Sequence, residues 1–210
     1  MTPTSAQTSA TSRAAAGAGP AAEVHVVGGG ALVAEVSRVA AALRACSPSV
    51  CVVPRIPAPA PLAELTDARL GTDVGAALDE TLATVQRELA FVRGGRLVFV
   101  LPSGPLMAAS GSAGAAAVTN GVLSMGRTLA IELARDSVTV NVLAIDTGTD
   151  TGTDTGTATG TATGTATGGA AEWSAALVGQ LATLLGPGGE YITGQEIYLT
   201  AGSDLGRLRP

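Results

Sequence analysis

Residues 115–144 read AAAVTNGVLSMGRTLAIELARDSVTVNVLA. Small and aliphatic residues return at helical spacing through its first two thirds, and no proline interrupts them. That predicts a long helix over residues 112–135. Thr139–Ile145 then turns apolar and β-branched, which predicts a buried strand. A helix feeding an apolar strand is the repeating unit of parallel sheets covered by helices.

The same alternation continues outward on both sides. Upstream, residues 96–101 run apolar and predict a strand buried on both faces. Residues 72–92 predict an amphipathic helix with Thr72 as N-cap and Leu78, Leu82, Val85 and Leu89 on one face; Gly94 and Gly95 end it. Residues 24–27 predict a short buried strand that stops at Gly28-Gly29-Gly30. Residues 31–45 carry Leu32, Val36, Val39, Ala40 and Leu43 at helical spacing. Ser49–Val53 predicts a further strand closed by Pro54, and the three prolines of residues 55–61 predict a loop. Downstream, residues 172–185 predict a helix and residues 191–199 a last strand. The fold class is therefore α/β, a Rossmann-like, doubly wound parallel sheet.

Two segments stand outside this pattern. Residues 1–22 are mostly Ser, Thr, Ala and Gly and predict a disordered tail. Residues 146–169 repeat Asp-Thr-Gly-Thr and then Ala-Thr-Gly, with nothing large enough to bury, and predict a flexible loop. The core is thus expected in two parts, residues 23–145 and 170–210. Asp146, Asp150 and Asp154 fit no calcium loop. Asp-Thr-Gly is also the aspartic-protease tripeptide, but here it is one phase of a simple repeat.

Composition narrows the function classes. The chain is 46% hydrophobic but only 2% aromatic, with a net charge of -5. Its arginines are scattered singly, which argues against a nucleic-acid surface and an anionic membrane. No apolar run is long enough to span a bilayer; residues 97–118 are broken by Pro102, Gly104 and Pro105. The first residues lack the charged start and apolar centre of a secretory signal, so a cytoplasmic protein is expected. Cys46 and Cys51 make no metal or redox pair, and the single histidine, His25, makes no zinc site. No metal is expected.

Three segments together carry a resemblance: residues 95–103 (GRLVFVLPS), residues 115–144, and residues 191–203 (YITGQEIYLTAGS). Their order and spacing resemble the short-chain dehydrogenases/reductases, nearest to the ketoacyl-carrier-protein-reductase-like group. The resemblance runs over roughly residues 24–202, apart from a gap and the repeat. It implies a Rossmann-like fold and an NAD(P)-dependent oxidoreductase ancestry. It also shows departures at each motif. The family's Tyr-x-x-x-Lys pair, in which tyrosine moves the proton and lysine lowers its pKa, falls at Ala115 and Thr119. The carbonyl-polarising serine falls at Pro102, with Ser103 adjacent. The asparagine of the preceding helix falls at Thr81. In the family's T-G-x-x-x-G-x-G turn only Gly28 matches; Leu32 and Ala34 stand at the next two glycines. Gly28, Gly29 and Gly30 remain as a vestigial turn. Too few residues separate the first strand from the helix at 72–92, so about one strand-helix unit is missing. That loss is read as including the N-N-A-G strand that lines the cofactor in active members, with the loop at 55–61 in its place.

By the same resemblance the helices at 72–92 and 112–135 pair across a two-fold axis. The interface candidates are Leu78, Leu82, Val85, Ala116, Gly121, Leu123 and Leu129. The expectation is a non-catalytic subunit with no cofactor, paired with a homologous active reductase or with itself. An atypical but active NAD(P)-dependent ketoreductase is the alternative, and a decayed remnant the second.

Overall fold

The computed structural model describes residues 21–107, 111–147 and 170–201. Of the segments set apart above, residues 1–20 of the tail and 148–169 of the repeat lie outside the described residues, as do the terminal residues 202–210. Five parallel strands form one sheet in the order β1-β2-β3-β4-β5: Val24–Gly28, Ser49–Val53, Arg96–Pro102, Thr139–Ile145 and Glu196–Leu199. Helices α1 (Val33–Ala41), α2 (Asp67–Arg69), α3 (Ala76–Val92), α4 (Ala113–Glu132) and α5 (Ala170–Leu185) connect them.

Side chains alternate along the central strands and build two cores. Val50, Val52, Leu97, Phe99, Val140 and Val142 meet α3 and α4 on one face. Cys51, Val53, Val98, Val100, Leu143 and Ile145 meet α1 and α5 on the other. With aromatic rings scarce, close approach fills the space: a Cβ on Gly126 of α4 would stand 2.7 Å from a Val142 methyl.

The order has a topological consequence. Every connection advances one strand in the same direction, so its handedness depends only on the face its helix occupies. The crossover helices α1 and α5 lie on one face and α3 and α4 on the other, so two of the four crossovers are left-handed, against a rule that holds in about 98% of cases. The doubly wound order 3-2-1-4-5-6 explains the first of these. There the helix after strand one leads outward to strand two, on the opposite face from later helices. Remove strands two and three, and α1 keeps its face while the next strand lies on the other side of β1. Against that order the truncation falls beyond β1 and amounts to two strand-helix units, where the sequence predicts about one. The loss is not at the cofactor-lining strand, as the sequence reading had it: β2 sits between β1 and β3, where that order places strand four.

Several element ends differ from expectation. The helix expected from Thr72 starts earlier, at Thr66, whose hydroxyl accepts from the Arg69 amide. Residues Leu70–Gly75 form a π-helical turn that leads directly into α3. Thr72 lies inside this run, and its hydroxyl donates to the Ala68 carbonyl at 3.1 Å. The helix expected over 31–45 is only Val33–Ala41. The last strand is also short, because residues before Glu196 bend away, with Gly194 at φ +70°. The Asn141 side chain holds that bend, donating to the Ile192 carbonyl (2.8 Å) and accepting from the Gln195 amide (3.1 Å). At the other terminus Ala22, read as tail, donates its amide to the Ala45 carbonyl at 3.0 Å.

Candidate functional site

Open α/β sheets bind ligands in the crevice at the carboxyl ends of the strands, beside the first glycine turn. Here that turn is Gly28-Gly29-Gly30, and Gly28 and Gly30 face the end of β2. Gly28 has φ +126°, and a Cβ on it would stand 2.1 Å from the Val53 carbonyl oxygen. A Cβ on Gly30 would stand 2.4 Å from the Pro54 carbonyl oxygen. The Gly30 amide, the type of donor a phosphate would need, is spent on the Val53 carbonyl at 3.2 Å. Close approach of β2 thus accounts for both glycines.

The remaining walls are also unsuited to a diphosphate. The Glu80 carboxylate of α3 lies over Gly29, whose Cβ would be 3.2 Å from Oε1. Arg55 pairs with that carboxylate at 3.3 Å instead of remaining available to an anion. The cleft bounded by Gly28, Gly29, Val52, Pro54, Arg55, Glu80, Thr81 and Thr84 is too narrow for a water molecule. Leu32 packs against the α1–α5 core, and Ala34 is exposed. The residues present do not fit a dinucleotide.

The four positions aligned with the family's catalytic residues lie around the ends of β3, α3 and α4. Thr81 is buried, and its hydroxyl donates to the Ala77 carbonyl of its own helix at 2.8 Å. Thr119 is fully buried and donates to the Ala115 carbonyl at 3.0 Å. Ala115 is buried beside it. Pro102 ends β3, and Ser103 is buried with its amide on the Ile145 carbonyl. None of these four side chains titrates, and both threonine hydroxyls are already donating within a helix.

The space above α4 is roofed from within the chain. Ala60, in the proline loop, donates its amide to the Gly111 carbonyl at 2.7 Å. Leu65 and Val74 come within 3.7 Å of where a Cβ on Gly114 would lie. The signal for this roof is present in the sequence as Leu65 and Val74, but their spacing spans the π turn and hides the helical period.

The interface candidates divide among three environments. Val85 and Leu123 are buried in the core between the sheet and the α3–α4 layer. Leu78 packs on Gly121, whose Cβ would stand 3.0 Å from its Cδ2, so this pair joins α3 to α4 within the chain. Leu129 is half-buried against the same core, and Ala116 is half-buried. Leu82 is exposed on α3, as is Leu89 one helical repeat further on, and Ile131 is exposed on α4. Among the described residues, no helix is long and apolar enough to cross a membrane.

No protein-family model matches this sequence, and no curated protein sequence matches it. Solved structures do match its fold. Levodione reductase aligns with a TM-score of 0.55 at 16% identity, over 74% of this chain and 66% of its own. A short-chain dehydrogenase from Mycobacterium smegmatis aligns with a TM-score of 0.53 at 19% identity, over 71% of this chain and 57% of its own. The chain thus spans less than two thirds of either. A blue fluorescent protein from a metagenomic library, solved in complex with NADPH, aligns with a TM-score of 0.57 at 19% identity, over 86% of this chain and 97% of its own.

Proposed function

From the premise that this chain has a short-chain dehydrogenase/reductase-like fold, we propose that it is a non-catalytic subunit of a hetero-oligomer. Its partner is a chain of the same fold that carries the NAD(P)-dependent reductase activity. The observation that carries this reading is the pair Ala115 and Thr119. Both are sealed in the core, and the only hydroxyl between them is bonded to its own helix. A carbonyl reduction needs a proton donor within hydrogen-bond reach of the substrate oxygen, and neither position supplies one. The glycine turn supports the same reading, since β2 and Glu80 take the places a diphosphate needs. Leu82, Leu89 and Ile131 give the α3–α4 layer an apolar outer surface for a partner to cover.

The test is coexpression with an intact reductase of this fold, followed by light scattering. A stable complex whose turnover disappears when the partner's tyrosine is removed supports the reading. A well-behaved monomer that forms no complex overturns it and favours a decayed remnant.

One observation favours an active, NAD(P)-binding reading. The metagenomic blue fluorescent protein is nearly spanned by this chain and was solved with NADPH. Calorimetric titration of the isolated chain separates the two readings. A micromolar dissociation constant for NADPH, about -8 kcal/mol, would overturn the non-catalytic reading.

A further inference from the structure

Among the described residues, β1 is an edge strand of the sheet. Glu23, His25 and Val27 direct their backbone groups toward β2, as in the bond from the Ser49 amide to the Glu23 carbonyl at 3.1 Å. Val24 and Val26 therefore direct theirs outward, where no partner among the described residues meets them. A strand of five residues with a single ladder depends heavily on its side chains.

His25 is the polar side chain on the α3 face of that strand. Its ring lies flat on Phe91, with centroids 3.7 Å apart and planes 5° from parallel. Nδ1 is 2.8 Å from Glu88 Oε2 on α3, and Nε2 is 3.1 Å from Glu23 Oε1. Both ring nitrogens thus face carboxylate oxygens, and an ionised carboxylate only accepts hydrogen bonds. The imidazolium form satisfies both. A neutral ring has one N–H and must turn a lone pair toward the other carboxylate. Glu88 and Glu23 are the charged groups facing the ring; β2 presents Val50 at the registered position.

We infer that His25, Phe91 and Glu88 form a proton-operated latch that holds the edge strand β1 to α3. The latch is closed when the ring carries both protons and weakened when it carries one. With it weakened, the ring still stacks on Phe91 but donates to only one of the two carboxylates, so β1 leans more on its ladder and the packing of its valines. It opens more often, and the N–H and C=O groups of His25 and Val27 that face β2 become available to another strand. The inference does not rest on the proposed function.

The pH direction follows from linkage. The ring's pKa is raised above 6.5, first by the Glu88 hydrogen bond, and burial opposes the rise without cancelling it. A group with a raised folded pKa stabilises the fold fully below its unfolded value and loses that contribution as pH rises through the folded one. His25 is the only histidine, so an imidazole titration reports this site alone.

The experiment is amide hydrogen exchange by NMR from about pH 5.5 to about pH 8, with each rate divided by the intrinsic rate at that pH. Protection at His25 and Val27 should fall several-fold as pH rises, while Val98 and Val142 in the central strands keep theirs. Glu88→Gln should flatten the profile and lower the His25 midpoint. His25→Phe, which keeps a ring over Phe91 but no proton, should also flatten it. A flat profile in the unaltered chain, or an unchanged one in Glu88→Gln, overturns the latch. If His25→Phe fails to fold, Glu88→Gln and the His25 titration still decide the matter.

Discussion

The α-carbon of Gly28 is pressed so close to β2 that a Cβ there would stand 2.1 Å from the carbonyl oxygen of Val53. With φ at +126°, the position excludes side chains on two independent grounds. Gly28→Ala should therefore destabilise the fold by about 2 kcal/mol or more. Urea unfolding measures it. A variant as stable as the parent would mean that β2 does not approach the turn this closely, and would reopen the turn to a phosphate.

Restoring the family's proton-transfer pair should not restore activity. Ala115 and Thr119 are both buried, so Ala115→Tyr with Thr119→Lys forces a large ring and a charge into a packed core. Overpacking alone costs about 1–3 kcal/mol. The double variant should unfold at lower urea and reduce no ketoacyl thioester with NADPH, because the residues at the glycine turn do not fit the dinucleotide that would supply the hydride. Measurable turnover would contradict the site geometry.

How far these features could be read beforehand differs from element to element. β2 and β4 match their predicted ends because each is a compact apolar run buried on both faces, the strongest signal a strand can carry. A start at Thr66 is not legible because Gly71 disfavours helix and the π-helical turn Leu70–Gly75 breaks the helical spacing ahead of α3. The four positions that the resemblance aligns with catalytic residues are legible as residue identities. Their burial was not, since Thr119 bonding back to Ala115 depends on how α4 packs. Strand order was the least accessible feature. Nothing local to residues 24–28 tells whether a strand lies outside them, because parallel partners are set by crossovers distant in sequence.

The floor of the sheet offers a paired contrast. Arg96 is buried, and among the described residues its carboxylate partner is Glu190 at 3.2 Å, itself half in solvent. Glu190→Gln leaves a buried guanidinium uncompensated and should cost roughly 1 kcal/mol, less than a fully buried pair would because water screens the exposed side. Thr139, registered beside Arg96, has a buried hydroxyl with no partner among the described residues. Thr139→Val should be neutral or stabilising by up to about 1 kcal/mol. Thermal unfolding of both variants checks the pair; a costly Thr139→Val would show that the hydroxyl is bonded after all.

Acid should loosen the contact between α1 and α5. Glu35 on α1 is held first by Arg38 and then by Ser174 of α5, and these lower its pKa from 4.5 to about 2. A lowered folded pKa means that the stabilisation is present above 4.5 and is lost as pH falls from there toward about 2. Melting temperatures of the parent and Glu35→Gln should differ at neutral pH and converge across that window. A constant difference down to the lower limit would show that the carboxylate contributes no linked stability.

Assembly is the prediction on which the functional reading turns, and the structure specifies which substitutions test it cleanly. Ala116 and Gly121 are poor probes. Gly121 already contacts Leu78, with only 3.0 Å between a Cβ there and that side chain, so Gly121→Arg would separate α3 from α4 within the chain. Val85 and Leu123 are buried and would report core stability. Leu82 and Leu89 are 42% and 37% exposed on the outer side of α3, so charges there cost the isolated fold little. At an interface that buries roughly 2,000 Å² or more, the same charges would be desolvated without partners and should dissociate the complex. Leu82→Glu with Leu89→Glu should leave the urea midpoint within about 0.5 kcal/mol of the parent while abolishing co-purification with the reductase partner. If the complex survives these substitutions, the partner binds elsewhere on the fold; if the midpoint falls sharply, the two leucines belong to the core.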